Sequence, residues 1–108
     1  MANLKNVKAI ELVLFKPKPD VSSEEVKTSL MSLNSILKSY DGFISRQLAV
    51  GEKNQWMDLV FWENMENATF AAEDVLKDEM AQKAFQVIDE SEMNFFHFEP
   101  VSQTVNDE

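Results

Sequence analysis

Three side chains of this sequence have the types and positions needed for acid–base chemistry: Glu11, Asp58 and His97. Each lies in the middle of a segment that alternates like a β-strand, and all three share one strand parity. Beside carboxylates, a histidine cation is favoured and can exchange a proton near neutral pH. We therefore predict Glu11, Asp58 and His97 as catalytic residues. A structural His–carboxylate pair that closes a polar gap is the alternative.

Four predicted strands must bring these side chains together. The strands are expected at residues 7–15, 43–50, 55–63 and about 92–99, because these segments are β-rich and bounded by turn residues. With one helical region after strand 1 and one after strand 3, the order is β-α-β-β-α-β. This order predicts a ferredoxin-like α+β fold with a four-stranded antiparallel sheet. Strand 1 then lies between strands 3 and 4, which makes Glu11 central.

The helical regions are predicted from capping residues and apolar spacing. Ser22 and Glu25 form a capping box, Asn64 caps the second region, and Asp78 can begin a further piece. The expected apolar positions are Val26, Leu30, Leu33, Leu37 and Tyr40 in the first region, then Met65, Ala68, Ala72 and Leu76, and finally Met80, Ala84, Phe85 and Ile88. We predict a single domain over 1–101 and a polar C-terminal tail over 102–108.

The two faces of the predicted sheet differ in polarity. One parity is almost wholly apolar and is interrupted only by Arg46 and Asn94; its other members are Ile10, Leu12, Leu14, Ile44, Leu48, Val50, Met57, Leu59, Phe61, Phe96 and Phe98. Helices on one side would leave this face exposed, so we predict a homodimer that packs its sheets into an α/β barrel. Arg46 is predicted to form an ion pair, across the dimer seam or near a strand end. An anion-holding group in a cavity is the alternative.

Composition excludes several classes of function. The chain has no cysteine, which excludes disulfides, thiolate catalysis and Cys-ligated metal centres. Its net charge of −9 argues against a nucleic-acid partner. With no apolar run of ~18 residues and no evident signal peptide, we expect a cytoplasmic protein without a membrane partner. Residues 55–108 hold 13 of the 19 acids, which predicts a solvated acidic face, or alternatively a docking patch for a basic partner.

Several segments carry a family resemblance. They are GFISRQL at 42–48, QWMDLVFWE at 55–63, ELVLF at 11–15, and Ala68 with Ala71-Ala72. Over residues 5–100 the chain resembles the antibiotic biosynthesis monooxygenase-like branch of the dimeric α/β-barrel superfamily. The resemblance implies two ferredoxin-like subunits that share a barrel.

Some members of this branch are cofactor-free oxygenases that act on polycyclic phenols between the helices and the sheet. The resemblance therefore implies a small aromatic or polyketide-like ligand, no cofactor and no metal. His97 or Glu11 would be the base. The expected pocket residues are Trp56, Trp62, Phe70 and Phe95 as walls and Gln47 as a hydrogen-bond donor. A non-catalytic dimeric binding or stress-related module, and a structural subunit with an acidic docking face, are the alternatives.

Overall fold

The structure, a computed structural model, describes residues 6–106. The strands are β1 (Ala9–Pro17), β2 (Phe43–Val50), β3 (Trp56–Trp62) and β4 (Ile88–Phe98); the helices are α1 (Ser23–Met31), α2 (Asn34–Lys38), α3 (Met65–Asp74) and α4 (Glu79–Ala84). Within the described residues these strands form one antiparallel sheet in the order β2-β3-β1-β4. The predicted ferredoxin-like α+β fold is confirmed, with β1 between β3 and β4.

The helices begin where the sequence predicts. In the capping box of α1, the Ser22 hydroxyl accepts from the Glu25 amide and the Glu25 carboxylate accepts from the Ser22 amide, both at 3.2 Å. Asn64 caps α3 by accepting from the Asn67 amide at 2.7 Å, and Asp78 caps α4 through the Ala81 amide at 2.9 Å. Each cap satisfies amide donors that a helix start leaves unpaired.

The first helical region is broken rather than continuous. α1 ends at Met31 and α2 begins at Asn34, while the predicted core positions Val26, Leu30, Leu33 and Leu37 are all buried. The Ser32 hydroxyl donates to the Ser29 carbonyl at 2.5 Å near the break. Hydroxyls that bond to the preceding turn offer the backbone an alternative to helical bonding.

The apolar stripe of the second region differs from the prediction. Ala68 is buried as expected, but Leu76 and Met80 are 59% and 66% exposed. Ala71 and Val75 are buried instead, at steps of three and four from Ala68. The buried stripe of this region is therefore formed by Ala68, Ala71 and Val75.

A contact between elements holds α3 against the end of the first helical region. The Tyr40 hydroxyl donates to the Asp74 carboxylate at 2.9 Å, and the Tyr40 ring meets Phe70 edge-on at 6.1 Å. Burial, together with the hydrogen bond to Asp74 and the negative charges of Asp74 and Asp78, raises the pKa of Tyr40 to about 12. Tyr40 therefore serves packing and connection, as its place at the helix end predicted.

A bulge in β2 corrects the predicted faces of that strand. Phe43 pairs with Trp62, but Ser45 pairs with Phe61, so the register shifts between them. A bulge of this kind moves every following side chain to the opposite face. Beyond it Arg46 lies opposite Val60, on the helix-covered face, and the predicted parity of β2 is wrong there.

The outer face of the sheet is apolar on three of the four strands. Its apolar side chains are Ile10, Leu12 and Leu14 of β1, Met57, Leu59 and Phe61 of β3, and Phe96 and Phe98 of β4. The polar Asn94 of β4 interrupts them opposite Leu14, as predicted. Phe96 and Phe98 stack on each other at 5.7 Å and are 39% and 47% exposed. On β2 the bulge places Ser45, Gln47 and Ala49 on this face, so the β2 edge is more polar than predicted.

Two further features complete the fold. β4 begins at Ile88, earlier than predicted, and pairs with β1 in two pieces separated by the irregular segment 90–93.

Of the predicted tail, residues 102–106 form neither helix nor strand, and 107–108 lie outside the described residues. Among residues 6–106, no helix has the length and apolar character needed to cross a membrane.

Candidate functional site

A cavity of about 530 Å³ lies between the helix-covered face of the sheet and the helical layer. Much of its wall is apolar; this part includes Val13, Phe15, Leu33, Leu37, Val60, Trp62, Val75 and Phe85. Such a volume falls within the range of small-molecule sites, which typically combine apolar walls with a few polar groups. Glu11, Asp58 and His97 all line this cavity.

Glu11 and His97 form a hydrogen-bonded pair across two strands. They are directly opposite in the β1–β4 register, and Nε2 of His97 lies 3.1 Å from Oε1 of Glu11. Their side chains are 12% and 21% exposed. The edge of Phe95 packs against the imidazole at a centroid distance of 5.0 Å. The pair is therefore held in a partly dry environment by the sheet itself.

The surroundings of Glu11 favour its protonated form. Burial raises the pKa of the Glu11 carboxyl above its ordinary value, and the negative charge of Asp58 acts in the same direction. The hydrogen bond and charge of His97 oppose this shift, as does the charge of Arg46. Because burial prevails, ionised Glu11 depends on His97 for stabilisation.

Asp58 is engaged by Arg46. The guanidinium Nε and Nη2 donate to the two carboxylate oxygens of Asp58 at 2.9 and 2.7 Å. Nη1 donates to the Leu30 carbonyl at 2.7 Å and to the side-chain oxygen of Asn34 at 2.9 Å. Arg46 therefore forms an ion pair as predicted, but with Asp58 in the middle of β3 of the same chain rather than across a dimer seam or near a strand end. The pair ties β2 and β3 to the break between α1 and α2. Asp58 is thus paired with a cation, while Glu11 is hydrogen-bonded to His97.

Two of the five predicted pocket residues line the cavity: Trp62 and Phe95. Trp62 is fully buried, and within residues 6–106 its Nε1–H finds no hydrogen-bond partner. Phe95 is 46% exposed and lies beside His97. A buried donor without a partner is uncommon and costs free energy, about 1–3 kcal/mol, so it calls for an acceptor.

The other three predicted pocket residues lie elsewhere. Trp56 is buried in the core, stacks on Phe15 at 6.1 Å and donates to the Asn54 side chain at 3.0 Å. Phe70 is 61% exposed on α3. Gln47 is exposed and pairs with Leu59 on the outer face, because the β2 bulge reverses its direction.

Three charged residues that line the cavity were not among the predicted site residues: Arg46, Glu73 and Glu90. A signal for Arg46 was present, since a buried guanidinium needs an anionic partner and Asp58 lies on the adjacent strand. Glu73 and Glu90 carried no such signal, because single acids on a helix and at an irregular strand segment resemble ordinary surface residues. In the described part of the chain, no group of three or more His, Asp or Glu side chains is arranged to hold a metal ion.

Comparison with known proteins gives structural likeness only. No family model matches the sequence, and neither does any curated protein. Similar solved structures include a variant of SnoaB, a cofactor-independent oxygenase from Streptomyces nogalater, with a TM-score of 0.70, 11% identity, and 89% and 95% of the two chains covered. A monooxygenase from the gene ActVA-Orf6 of Streptomyces coelicolor, solved with the ligand Nanaomycin D, has a TM-score of 0.65, 11% identity, and coverage of 95% and 96%.

A third similar structure is a dimeric ferredoxin-like protein from an uncultured marine organism, with a TM-score of 0.66, 13% identity and 94% of each chain covered. At these identities the likeness establishes the fold. That fold agrees with the ferredoxin-like arrangement that the sequence predicted.

Proposed function

We propose that this protein is a cofactor-independent oxygenase that binds an electron-rich hydroxyaromatic molecule in the cavity between sheet and helices. The observation that carries the proposal is the Glu11–His97 pair, at 3.1 Å, within an otherwise largely apolar cavity of about 530 Å³. A phenol needs a base to become reactive toward O₂, and dry walls strengthen the electrostatics of that proton transfer. The oxygenase activities of two structurally similar proteins, SnoaB and the ActVA-Orf6 monooxygenase, support the same chemistry.

His97 is the proposed base, and Glu11 is the proposed positioning residue. An ionised carboxylate only accepts hydrogen bonds, so Glu11 binds the Nε2–H of the neutral ring. This assigns the lone pair to Nδ1, which takes the phenol proton. The imidazolium that forms is then stabilised by the adjacent carboxylate. The burial that raises the pKa of Glu11 makes this stabilisation stronger than it would be in water.

Trp62 is the proposed donor to the developing oxyanion. Its ring forms part of the cavity wall, and its buried Nε1–H has no partner among residues 6–106. A phenolate oxygen would satisfy this donor and gain a charge-assisted hydrogen bond. Gln47, which the resemblance suggested for this role, faces away from the cavity.

The proposed reaction converts a phenol and O₂ into a quinone and water. His97 removes the O–H proton, and the phenolate gives one electron to O₂. The phenoxyl radical and superoxide then combine into a C–O bond at the para carbon. Loss of the C–H proton there, with cleavage of the O–O bond, leaves the second carbonyl. The two protons and the released oxygen atom form one water, so the substrate supplies all electrons.

Oxygen uptake with 1,5-dihydroxynaphthalene tests the proposal. We expect one O₂ consumed for each 5-hydroxy-1,4-naphthoquinone formed, and loss of at least about 100-fold in His97→Ala, the usual scale for a removed general base. Glu11→Gln should reduce the rate, whereas Glu66→Gln, a matched change of an exposed acid outside the cavity, should leave it unchanged. Uptake no faster than without protein, across several dihydroxyarenes, would reject the oxygenase and leave the non-catalytic binding module.

We also propose that two chains associate through their outer sheet faces. The exposed Phe96–Phe98 stack lies beside the apolar side chains of β1 and β3. An apolar surface of this extent is typical of an interface rather than of a free monomer surface. A structurally similar ferredoxin-like protein is dimeric, which supports association of two chains. Because the cavity lies on the opposite face of the sheet, each chain would keep its own site.

A further inference from the structure

The charges around the cavity restrict the ligands that it can hold. Among residues 6–106, its charged lining consists of four carboxylates, one guanidinium and the titratable His97; the carboxylates are those of Glu11, Asp58, Glu73 and Glu90, and the guanidinium is that of Arg46. An aromatic cavity that recognises acids normally presents a free cation to them. The first question is therefore whether Arg46 is free.

Arg46 has almost no capacity left for a ligand. Four of its five N–H groups are already donated, two to Asp58 and one each to the Leu30 carbonyl and the Asn34 side chain. Its side chain is 4% exposed, and its charge is neutralised by the paired Asp58 at 2.7 Å. An incoming anion would have to break this network, which leaves a buried carboxylate unpaired.

The Glu11–His97 pair does not supply positive charge either. With Glu11 ionised, as the proposed function requires, the pair carries one negative charge when His97 is neutral and no net charge when His97 is protonated. In both states the net charge inside the cavity is zero or negative, because the charges of Arg46 and Asp58 cancel each other. An anionic group on a ligand would therefore meet no compensating charge at any depth of the cavity.

The mouth adds further negative charge. The solvent-facing lining residues are Thr69 and Glu73 on α3, Glu90 at the irregular segment of β4, and the apolar Leu76, Met93 and Phe95, which are 59%, 40% and 46% exposed. Two carboxylates therefore stand among apolar side chains at the entrance. That combination suits an aromatic or aliphatic body that ends in a protonated amine.

We infer that the cavity selects uncharged and, above all, amine-bearing hydroxyaromatic molecules, and excludes those that carry a carboxylate or phosphate. The hydroxyl end lies inward, toward His97 and Trp62, and the amine lies at the mouth, toward Glu73 and Glu90. This inference rests on the proposed function, since it assumes that a hydroxyaromatic ligand occupies the cavity. The net charge of −9 acts in the same direction by attracting cations during approach.

Three probes with one ring system test the inference: 2-naphthol, 6-hydroxy-2-naphthylmethylamine and 6-hydroxy-2-naphthoic acid. Their dissociation constants are measured by calorimetry at neutral pH and low salt. We expect the amine to bind at least about tenfold tighter than the acid, with naphthol between them, because two mouth carboxylates act on opposite ligand charges. Raising NaCl from about 20 mM to about 500 mM should reduce the difference in affinity between the amine and the acid.

The variant Glu73→Gln/Glu90→Gln keeps the size of both side chains and removes their charge. This double variant should reduce the ratio of amine affinity to acid affinity several-fold. Glu66→Gln, which like Glu73 lies on α3 but outside the cavity, should leave that ratio unchanged. If the acid binds as tightly as the amine, or if the ratio survives in the double variant, the inference is overturned and the proposed function stands. If none of the three binds, both fall. Charge-ranked binding of the three probes, together with no oxygen uptake from 1,5-dihydroxynaphthalene, supports the inference and rejects the oxygenase.

Discussion

At Glu11, burial and hydrogen bonding act on one carboxyl in opposite directions. Burial raises the pKa, and His97 lowers it, with burial the larger effect. The folded protein therefore keeps the proton of Glu11 over a pH range in which the unfolded chain has lost it. Between those two pKa values the folded state binds more protons, so the free energy of unfolding decreases as pH rises. Below the ordinary value of 4.5 the contribution is fully present.

The decrease in stability that Glu11 causes as pH rises leads to a prediction for Glu11→Gln. Glutamine stays neutral and can still accept a hydrogen bond from His97. The free energy of unfolding of the variant therefore lacks the decrease that Glu11 causes as pH rises. We expect its stability relative to the parent to increase as pH rises from about 4 to about 8. Urea unfolding at each pH measures the difference, and Glu66→Gln corrects for removing one negative charge from an acidic chain. A relative stability that falls with rising pH would contradict the assigned direction.

At the residue scale, the sequence was most informative where strand register decides proximity. Glu11 and His97 share parity on strands that the topology makes neighbours, so their contact could be anticipated. Asp58 reaches the same cavity, but its carboxylate is bound by Arg46. Trp56 could not be separated from Trp62 by sequence, because both have the same parity and only three-dimensional packing assigns one to the core and the other to the cavity.

At the scale of elements, Arg46 connects the sheet to the helical layer. Its side chain bridges Asp58 of β3 and the break between α1 and α2, through Leu30 and Asn34. We expect Arg46→Met to destabilise the protein by about 3–5 kcal/mol, because it leaves the Asp58 charge buried without a partner. Adding Asp58→Leu removes that charge and should recover a large part of the loss. Urea unfolding of the two single variants and the double variant measures the coupling.

Arg46→Lys serves as the control for this prediction. A lysine keeps the charge but cannot reproduce the bidentate fork and the two additional bonds. It should be intermediate between the parent and Arg46→Met. A double variant no more stable than Arg46→Met would show that the lost helix contacts, rather than the unpaired carboxylate, account for the cost.

The junction between the first helical region and β2 depends on Gly42. Its φ is +84°, and a Cβ built there would lie 2.6–2.7 Å from the side chain of Asn67. We expect Gly42→Ala to cost about 1–3 kcal/mol or more, from left-handed strain and from displacement of Asn67. Gly51→Ala is the matched control, because a Cβ there meets its nearest atom at 3.8 Å. Equal stabilities of the two variants in urea would contradict this account.

The elements show why the sequence predicts some features and misses others. Capping residues act locally, so the starts of α1, α3 and α4 could be predicted from Ser22, Asn64 and Asp78 alone. The β2 bulge has no glycine or proline to mark it, and the sequence Phe43–Val50 alternates acceptably with either parity. Arg46 decides between the two parities, because its buried guanidinium must lie beside an anion. Which parity provides that anion depends on how the sheet and the helical layer pack together.

At the scale of the whole molecule, charge and apolar surface lie on opposite sides. The acids of α3 and α4 belong to the helical layer, whereas the outer sheet face of β1 and β3 is formed by aliphatic, Met and Phe side chains. Two chains joined through this face would keep their acidic layers apart. Net repulsion between chains of charge −9 therefore opposes such a dimer less than any arrangement that brings the helical layers together.

The dimer is tested by replacing one apolar residue of the outer sheet face with a charged residue. Phe96 pairs with Leu12 of the central strand and is 39% exposed, so Phe96→Asp would place a charge in the proposed interface. Light scattering after gel filtration should give the parent twice the 12.4 kDa of one chain and give Phe96→Asp a single-chain mass. Phe70→Asp, at a residue 61% exposed on α3, should remain dimeric.

Circular dichroism distinguishes a folded monomer from an unfolded chain, and a melting temperature that rises with protein concentration for the parent alone would give independent support. If the parent has the mass of a single chain, the proposed dimer does not form. If Phe70→Asp dissociates the dimer and Phe96→Asp does not, the interface lies elsewhere on the protein. The apolar outer face would then have to be covered by a different partner, since its exposed Phe96–Phe98 stack is too apolar to face water alone.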